Sequence, residues 1–170
     1  MRIWVTGLPG CGKTTFMDLL RKKLKVPYLG FLTREIRINN QRQGFRLIDL
    51  KTGKEFEFAS TKRISNLKFA QYWLNLHYLE KLIDQFKQEL IQHRCLVLID
   101  EIGKMEFKSV KFREFVKFLI KHDYDLIATL HRCLVKKFEH LGKLIWLKKG
   151  EAQKLASGLA LKINKEKFLN

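Results

Sequence analysis

Residues 7–14 read GLPGCGKT and match G-x-x-x-x-G-K-[ST] at every fixed position. The surroundings are those the motif requires. RIWVT at 2–6 is a short strand-like run, and residues 13–24 place Phe16, Leu19, Leu20 and Leu24 on one helical face. A strand, a glycine-rich turn and a helix in this order form a nest of backbone N–H groups. Gly7, Gly10 and Gly12 let that backbone approach phosphate oxygens, with Leu8, Pro9 and Cys11 as the intervening loop residues. The helix start aims its positive end at the same anion. Lys13 is placed to reach the β- and γ-phosphates, the Thr14 hydroxyl to ligate Mg²⁺, and Thr15 to hold the α-phosphate.

Outward from this loop, the next informative stretch is LVLIDEIG at 96–103. Its apolar run predicts a strand buried on both faces, which delivers Asp100 to the carboxyl edge where open α/β sheets bind ligands. Asp100 is therefore the expected Mg²⁺ carboxylate of a Walker B strand, alongside Thr14. Glu101, one residue on, is the candidate base for an attacking water. Lys104 in the following GKME segment can counter transition-state charge, and Glu106 can tie that loop down. Arg132 follows the strand DLIATL at its carboxyl end and is a candidate γ-phosphate sensor.

The rest of the pattern predicts strands near 26–32, 33–38, 44–50, 54–59, 95–99, 125–130 and 143–147. Helices are predicted over 72–92, 108–122, 133–141 and 151–162, with a frayed tail to Asn170. Alternating strands and helices imply an α/β fold with a mostly parallel central sheet flanked by helices, the P-loop NTPase arrangement. The 33–59 region is an antiparallel hairpin insertion on that plan. With no repeat and no linker, residues 1–170 are expected to form a single domain. On strand 33–38, Arg34 shares parity with Ile36 and Ile38, so it must emerge at an edge or find an anion.

Composition narrows the class further. Hydrophobic residues make up 46% of the 170, with only 2 Pro, which excludes a disordered or low-complexity chain. Three cysteines are too few for a disulfide framework and point to the reducing cytoplasm. No apolar run is long enough to span a bilayer, so no membrane partner is expected. The pairs His93/Cys95 and His131/Cys133 fall before one strand and after another, at opposite sheet edges, and do not make a shared zinc site. Charge is the outlying property: 34 Lys and Arg against 17 Asp and Glu give a net +17. Such a surplus attracts phosphate as nucleotide, nucleic acid or anionic lipid. Arg34, Arg37, Arg42 and Arg46 form a cluster whose planar forks suit phosphate or carboxylate.

GLPGCGKTT at 7–15, GFLTREIR at 30–37, GFRLIDL at 44–50 and LIDEIGKMEFKSVKF at 98–112 together resemble the THEP1-type nucleoside-triphosphatases. The resemblance implies Mg²⁺-dependent hydrolysis of ATP, GTP, CTP and UTP to the diphosphate. It carries the nucleotide loop onto Gly7–Thr15 and the Walker B pair onto Asp100 and Glu101. Between the hairpin and the long helix the stretch FAQYWLN keeps only Tyr72 of the family's usual segment, which bears on base contacts. Two other readings share the loop. A small-molecule kinase of the nucleotide type would need a phosphoacceptor. An NTP-dependent nucleic-acid-binding module would use the basic surface, although no RNA- or DNA-binding signature is present.

Overall fold

The computed structural model describes residues 1–168. β1 (Arg2–Thr6) runs into the glycine-rich turn and α1 (Lys13–Lys23), followed by β2 (Tyr28–Ile38), β3 (Gln41–Asp49) and β4 (Glu55–Ser60). Two short strands, β5 (Lys68–Phe69) and β6 (Tyr72–Leu74), precede the long helix α2 (Leu76–Gln92). The chain continues through β7 (Leu96–Ile102), α3 (Val110–Lys121), β8 (Leu126–Leu130), α4 (Val135–Phe138), β9 (Lys143–Trp146) and α5 (Ala152–Phe168).

All of these strands join one sheet in the order β5-β6-β4-β3-β2-β7-β8-β1-β9. The expectation of a mostly parallel sheet is corrected here: the sheet is mixed. β2, β7, β8, β1 and β9 are parallel neighbours, whereas β2–β3, β3–β4, β4–β6 and β5–β6 are antiparallel. The hairpin segment lies within the sheet because β2 is long enough to serve two partners. Residues Tyr28–Leu32 pair with β7, and Phe31–Ile38 pair with β3. The predicted strands at 26–32 and 33–38 are thus one strand. The antiparallel part also runs past residue 59 to Leu74, since β6 adds to β4 through Ala59–Leu74.

That extension shortens the predicted helix at 72–92. Tyr72, Trp73 and Leu74 continue the aromatic spacing of α2 but are strand residues, and Asn75 caps the helix by accepting from the His77 N–H. α5, by contrast, outruns its predicted end at 162. Ile163 is buried, and Asn164 both accepts from the Lys25 N–H and donates to the Lys23 carbonyl, fastening the extra turn beside α1. Of the expected frayed tail, residues 169–170 lie outside the described residues.

Two apolar layers sandwich the sheet. One face carries Phe31, Val97, Ile99 and Ala128 against α2 and α3. The other carries Val5, Leu32, Leu98 and Ile127 against α1 and α5. Arg34 lies on this second face and finds its anion there, pairing with Asp18 of α1 at 3.3 Å. The remaining members of the arginine cluster are also matched by carboxylates: Arg37 and Arg42 by Glu35, and Arg46 by Glu55.

Where β2 meets β7, Gly30 sits at φ 140° and a Cβ there would fall 1.8 Å from the Leu98 carbonyl oxygen. Neither backbone can yield without breaking the ladder that carries Asp100. Gly30→Ala is expected to destabilise the fold by about 4 kcal/mol or more, read as a loss of midpoint in urea titration. A change under 1 kcal/mol would show that the strands can part locally.

Candidate nucleotide site

The loop of residues 7–12 closes over the carboxyl edge of β1, where Gly7 (φ 155°), Gly10 (φ 73°) and Gly12 (φ 100°) all have positive φ. Gly7 is also a close approach: a Cβ would lie 2.4 Å from the Leu147 carbonyl oxygen and 2.7 Å from Cys11 Sγ. Cys11 is buried there as loop filling, while Leu8, Pro9 and Gly10 are exposed. Gly12 occupies the N-cap of α1 without a side-chain hydrogen bond, and the first turn holds no acidic residue. The helix start therefore keeps its N–H groups for an anion, and Arg21, Lys22 and Lys23 sit favourably at its other end.

Lys13 and Thr14 open α1. Lys13 Nζ reaches back to the Gly7 carbonyl at 3.4 Å. Thr14 Oγ1 donates to Asp100 Oδ2 at 2.6 Å, joining the glycine-rich loop to the end of β7 across 86 residues of sequence. Thr15 is exposed beside them. Asp100 itself is 2% exposed. Its other oxygen accepts from Thr129 Oγ1 of β8 at 2.5 Å, and the Thr33 N–H of β2 also contributes. Burial still outweighs these bonds and the Lys13 charge, holding the Asp100 carboxyl above its ordinary range. A buried carboxylate short of positive charge, in contact with a threonine hydroxyl, is a hard-oxygen donor set that suits Mg²⁺.

Glu101 is half-buried at the same edge. Burial, followed by repulsion from Asp100, pushes its carboxyl up to about 7 against the opposing pull of Lys13. Glu106 lies behind it, 1% exposed, in a single turn of 3-10 helix at Glu106–Lys108. A Cβ on Gly103 would fall 2.7 Å from Glu106 Oε2 and 2.9 Å from Glu101 Oε1, so the two carboxyls flank one bare glycine. Burial first, then the Glu101 charge, drives Glu106 well above its ordinary value. The backbone N–H groups of Glu106 and Gly103 pull the other way.

Lys104 and Arg132 are both exposed at this edge. Their shared neighbour is His131, whose imidazole is held below its usual range by burial and then by Lys104, Lys13 and Arg132. The structure thus gathers the three predicted cations around a histidine that the sequence presents only as half of a His-x-Cys pair. Thr129 and the Thr33 N–H were missed as well. A threonine inside the otherwise apolar strand LIATL was the visible signal for the first; a backbone donor leaves none.

The family described as NTPase matches residues 2–159. The chain belongs to the THEP1-type nucleoside-triphosphatase family. The nucleoside-triphosphatase THEP1 of Methanocaldococcus jannaschii is 39% identical over 166 residues, covering 96% of this chain and 97% of the relative. The crystal structure of THEP1 from the hyperthermophile Aquifex aeolicus superposes with a TM-score of 0.76 at 32% identity, covering 95% of this chain and 98% of that one. The solution structure of a human cancer-related nucleoside triphosphatase shares the fold, with a TM-score of 0.68 at 23% identity, covering 96% of this chain and 97% of that one. The THEP1-type chain described here has no helix among the described residues long and apolar enough to cross a membrane.

Proposed function

We propose that this THEP1-type chain hydrolyses nucleoside triphosphates, ATP, GTP, CTP and UTP among them, at the carboxyl edge of β1, β7 and β8. The observation that carries the reading is the Thr14–Asp100 hydrogen bond with Glu101 one residue further on. It supports reading the glycine-rich loop as a phosphate nest, Thr14 with Asp100 as the metal pair and Glu101 as the base.

The loop N–H groups and Lys13 hold the β- and γ-phosphates, leaving the γ-phosphorus facing Glu101. Water attacks that phosphorus, the bond to the β–γ bridging oxygen breaks, and Glu101 accepts the water proton. Lys104 and Arg132 offset the charge that gathers on the γ-phosphoryl oxygens and the leaving diphosphate. Thr14 and Asp100 would hold Mg²⁺, which when bound neutralises phosphate charge. The continuity of all described strands in one sheet supports treating residues 1–170 as one domain. Three cysteines joined by no disulfide among the described residues support the cytoplasm as its compartment.

The deciding experiment is phosphate release with each of the four nucleotides, with and without RNA. Steady multiple turnover without an acceptor is expected. Strict dependence on a phosphoacceptor would replace hydrolysis by a kinase reaction. RNA stimulation that falls steeply with salt would assign the basic surface to nucleic acid.

The elevated Glu101 carboxyl also sets a pH dependence. The base works ionised, and its proton affinity is raised from the ordinary 4.5 to about 7. Activity therefore falls as pH drops through 7, where a normal glutamate would still be ionised. In kcat/KM, which reports the free enzyme, an acid limb near pH 7 is expected. A flat profile from pH 5 to about 8 would show that Glu101 is not the base.

A further inference from the structure

On the opposite side of the sheet from α1, a cavity of about 480 Å³ opens between α3 and the segment around α4. This volume lies within the range of small-molecule sites. Its floor is apolar and partly aromatic: Val116 and Phe138 are buried, and Phe107 and Ile120 complete the wall. Its remaining lining includes four cations, Arg113, Lys117, Lys121 and Lys137, and no carboxylate. None of the four takes part in an ion pair among the described residues. Lys137 instead stands over the Phe107 and Phe138 rings, 5.4 and 5.9 Å from their centroids, and Arg113 donates to the Phe107 carbonyl.

The contrast with the arginine cluster on β2 and β3 is instructive. There every guanidinium meets a carboxylate of this chain, so the surplus charge is spent internally. Here four positive groups surround a greasy hollow and nothing in its lining neutralises them. Self-repulsion of this kind is relieved by an anion, and the apolar floor is relieved by a hydrocarbon or aryl body. A bare phosphate satisfies only the rim, and a neutral apolar molecule only the floor.

We propose that the cavity between α3 and α4 is a second ligand site, which takes a small amphiphilic organic anion. The apolar body lies against Phe107, Val116 and Phe138, and the carboxylate, sulfonate or phosphate head sits among Lys117, Lys121 and Lys137. The site stands apart from the nucleotide loop, which α1 holds on the other face of the sheet.

The test uses the full chain saturated with Mg²⁺ and a non-hydrolysable ATP analogue, so that the phosphate loop is blocked. The probe is 8-anilinonaphthalene-1-sulfonate, titrated by fluorescence. Saturable binding at one site is expected, with the uncharged N-phenyl-1-naphthylamine bound roughly tenfold or more weakly. The double variant Lys117→Glu/Lys121→Glu should weaken the sulfonate by roughly tenfold or more while phosphate release stays unchanged, which also reports that the variant is folded. Ile120→Trp, which fills the hollow, should remove binding of both probes. Equal affinity for the neutral probe, or undiminished sulfonate binding in both variants, would overturn the proposal. So would the absence of one-site binding in a chain whose co-sedimentation with anionic phospholipid vesicles is lost in the double variant, since the cations would then serve a membrane surface.

Discussion

Exchanging Glu101 for Gln is expected to lower kcat by roughly 10²- to 10⁴-fold, the usual contribution of a positioned general base. Nucleotide binding should change little, because the glutamine keeps the size of the side chain and the phosphate-holding groups lie on the loop and α1. Position and proton affinity act together here. Glu101 directly follows the Asp100 that Thr14 contacts, and its burial beside that carboxylate raises its affinity for a proton to near neutrality. A base matched to working pH takes a proton from water more readily than an ordinary exposed glutamate. Single-turnover phosphate release and titration with a fluorescent nucleotide separate the two quantities. Undiminished turnover in Glu101→Gln would take the base role away from this residue and leave the loop assignment standing.

Lys13→Ala should be more damaging still, because it removes both binding and rate. Among the described residues, the ammonium has the Gly7 carbonyl at 3.4 Å as its one hydrogen-bond partner and joins no ion pair. Its charge is thus held ready for a ligand. A charge-assisted hydrogen bond contributes about 1.5–3 kcal/mol, and removing a donor that strengthens in the transition state costs about 10²–10³ in kcat. Together they predict a fall in kcat/KM of roughly 10³-fold or more. Lys13→Arg should not rescue it, because the guanidinium is a broad planar fork where the loop has room for a compact point charge. Phosphate release at several nucleotide concentrations measures the effect. A loss below about tenfold would show that the loop backbone alone holds the γ-phosphate.

Much of the site was legible in the sequence because its parts are short and local. The loop from Gly7 to Thr15 advertises itself by glycine spacing, and Asp100 by the apolar run before it. Neither depends on knowing which strands are neighbours. What escaped was contributed across strands. Thr129 donates to Asp100 from β8 and the Thr33 N–H from β2, and only the pairing of both strands with β7 brings them there. His131 was visible as a residue, but its role as the meeting point of Lys13, Lys104 and Arg132 required the loops after β7 and β8 to converge. The fold shows the same division. Periodicity located the helices and the parallel strands, yet it could not tell a hairpin laid beside the sheet from one built into it. That depends on β2 being long enough to pair in both directions, and on Asn75 ending a strand where aromatic spacing would have continued a helix.

The double pairing of β2 has a mechanical meaning. A strand shared between the two halves acts as a stiff beam, so the antiparallel half cannot swing over the nucleotide like a hinged flap without tearing hydrogen bonds from Phe31 or Leu32. Any closure around the triphosphate must then be made by the pieces that hang from the sheet edge, chiefly the Gly103–Glu106 and His131–Cys133 turns. The far tip near Asn39 and Asn40 closes the same strand pair that holds Leu32, the register partner of Asp100, with one irregularity between them at Ile36 and Arg37. The hairpin is thus tied through one strand to the buried carboxylate at the sheet's edge, Asp100.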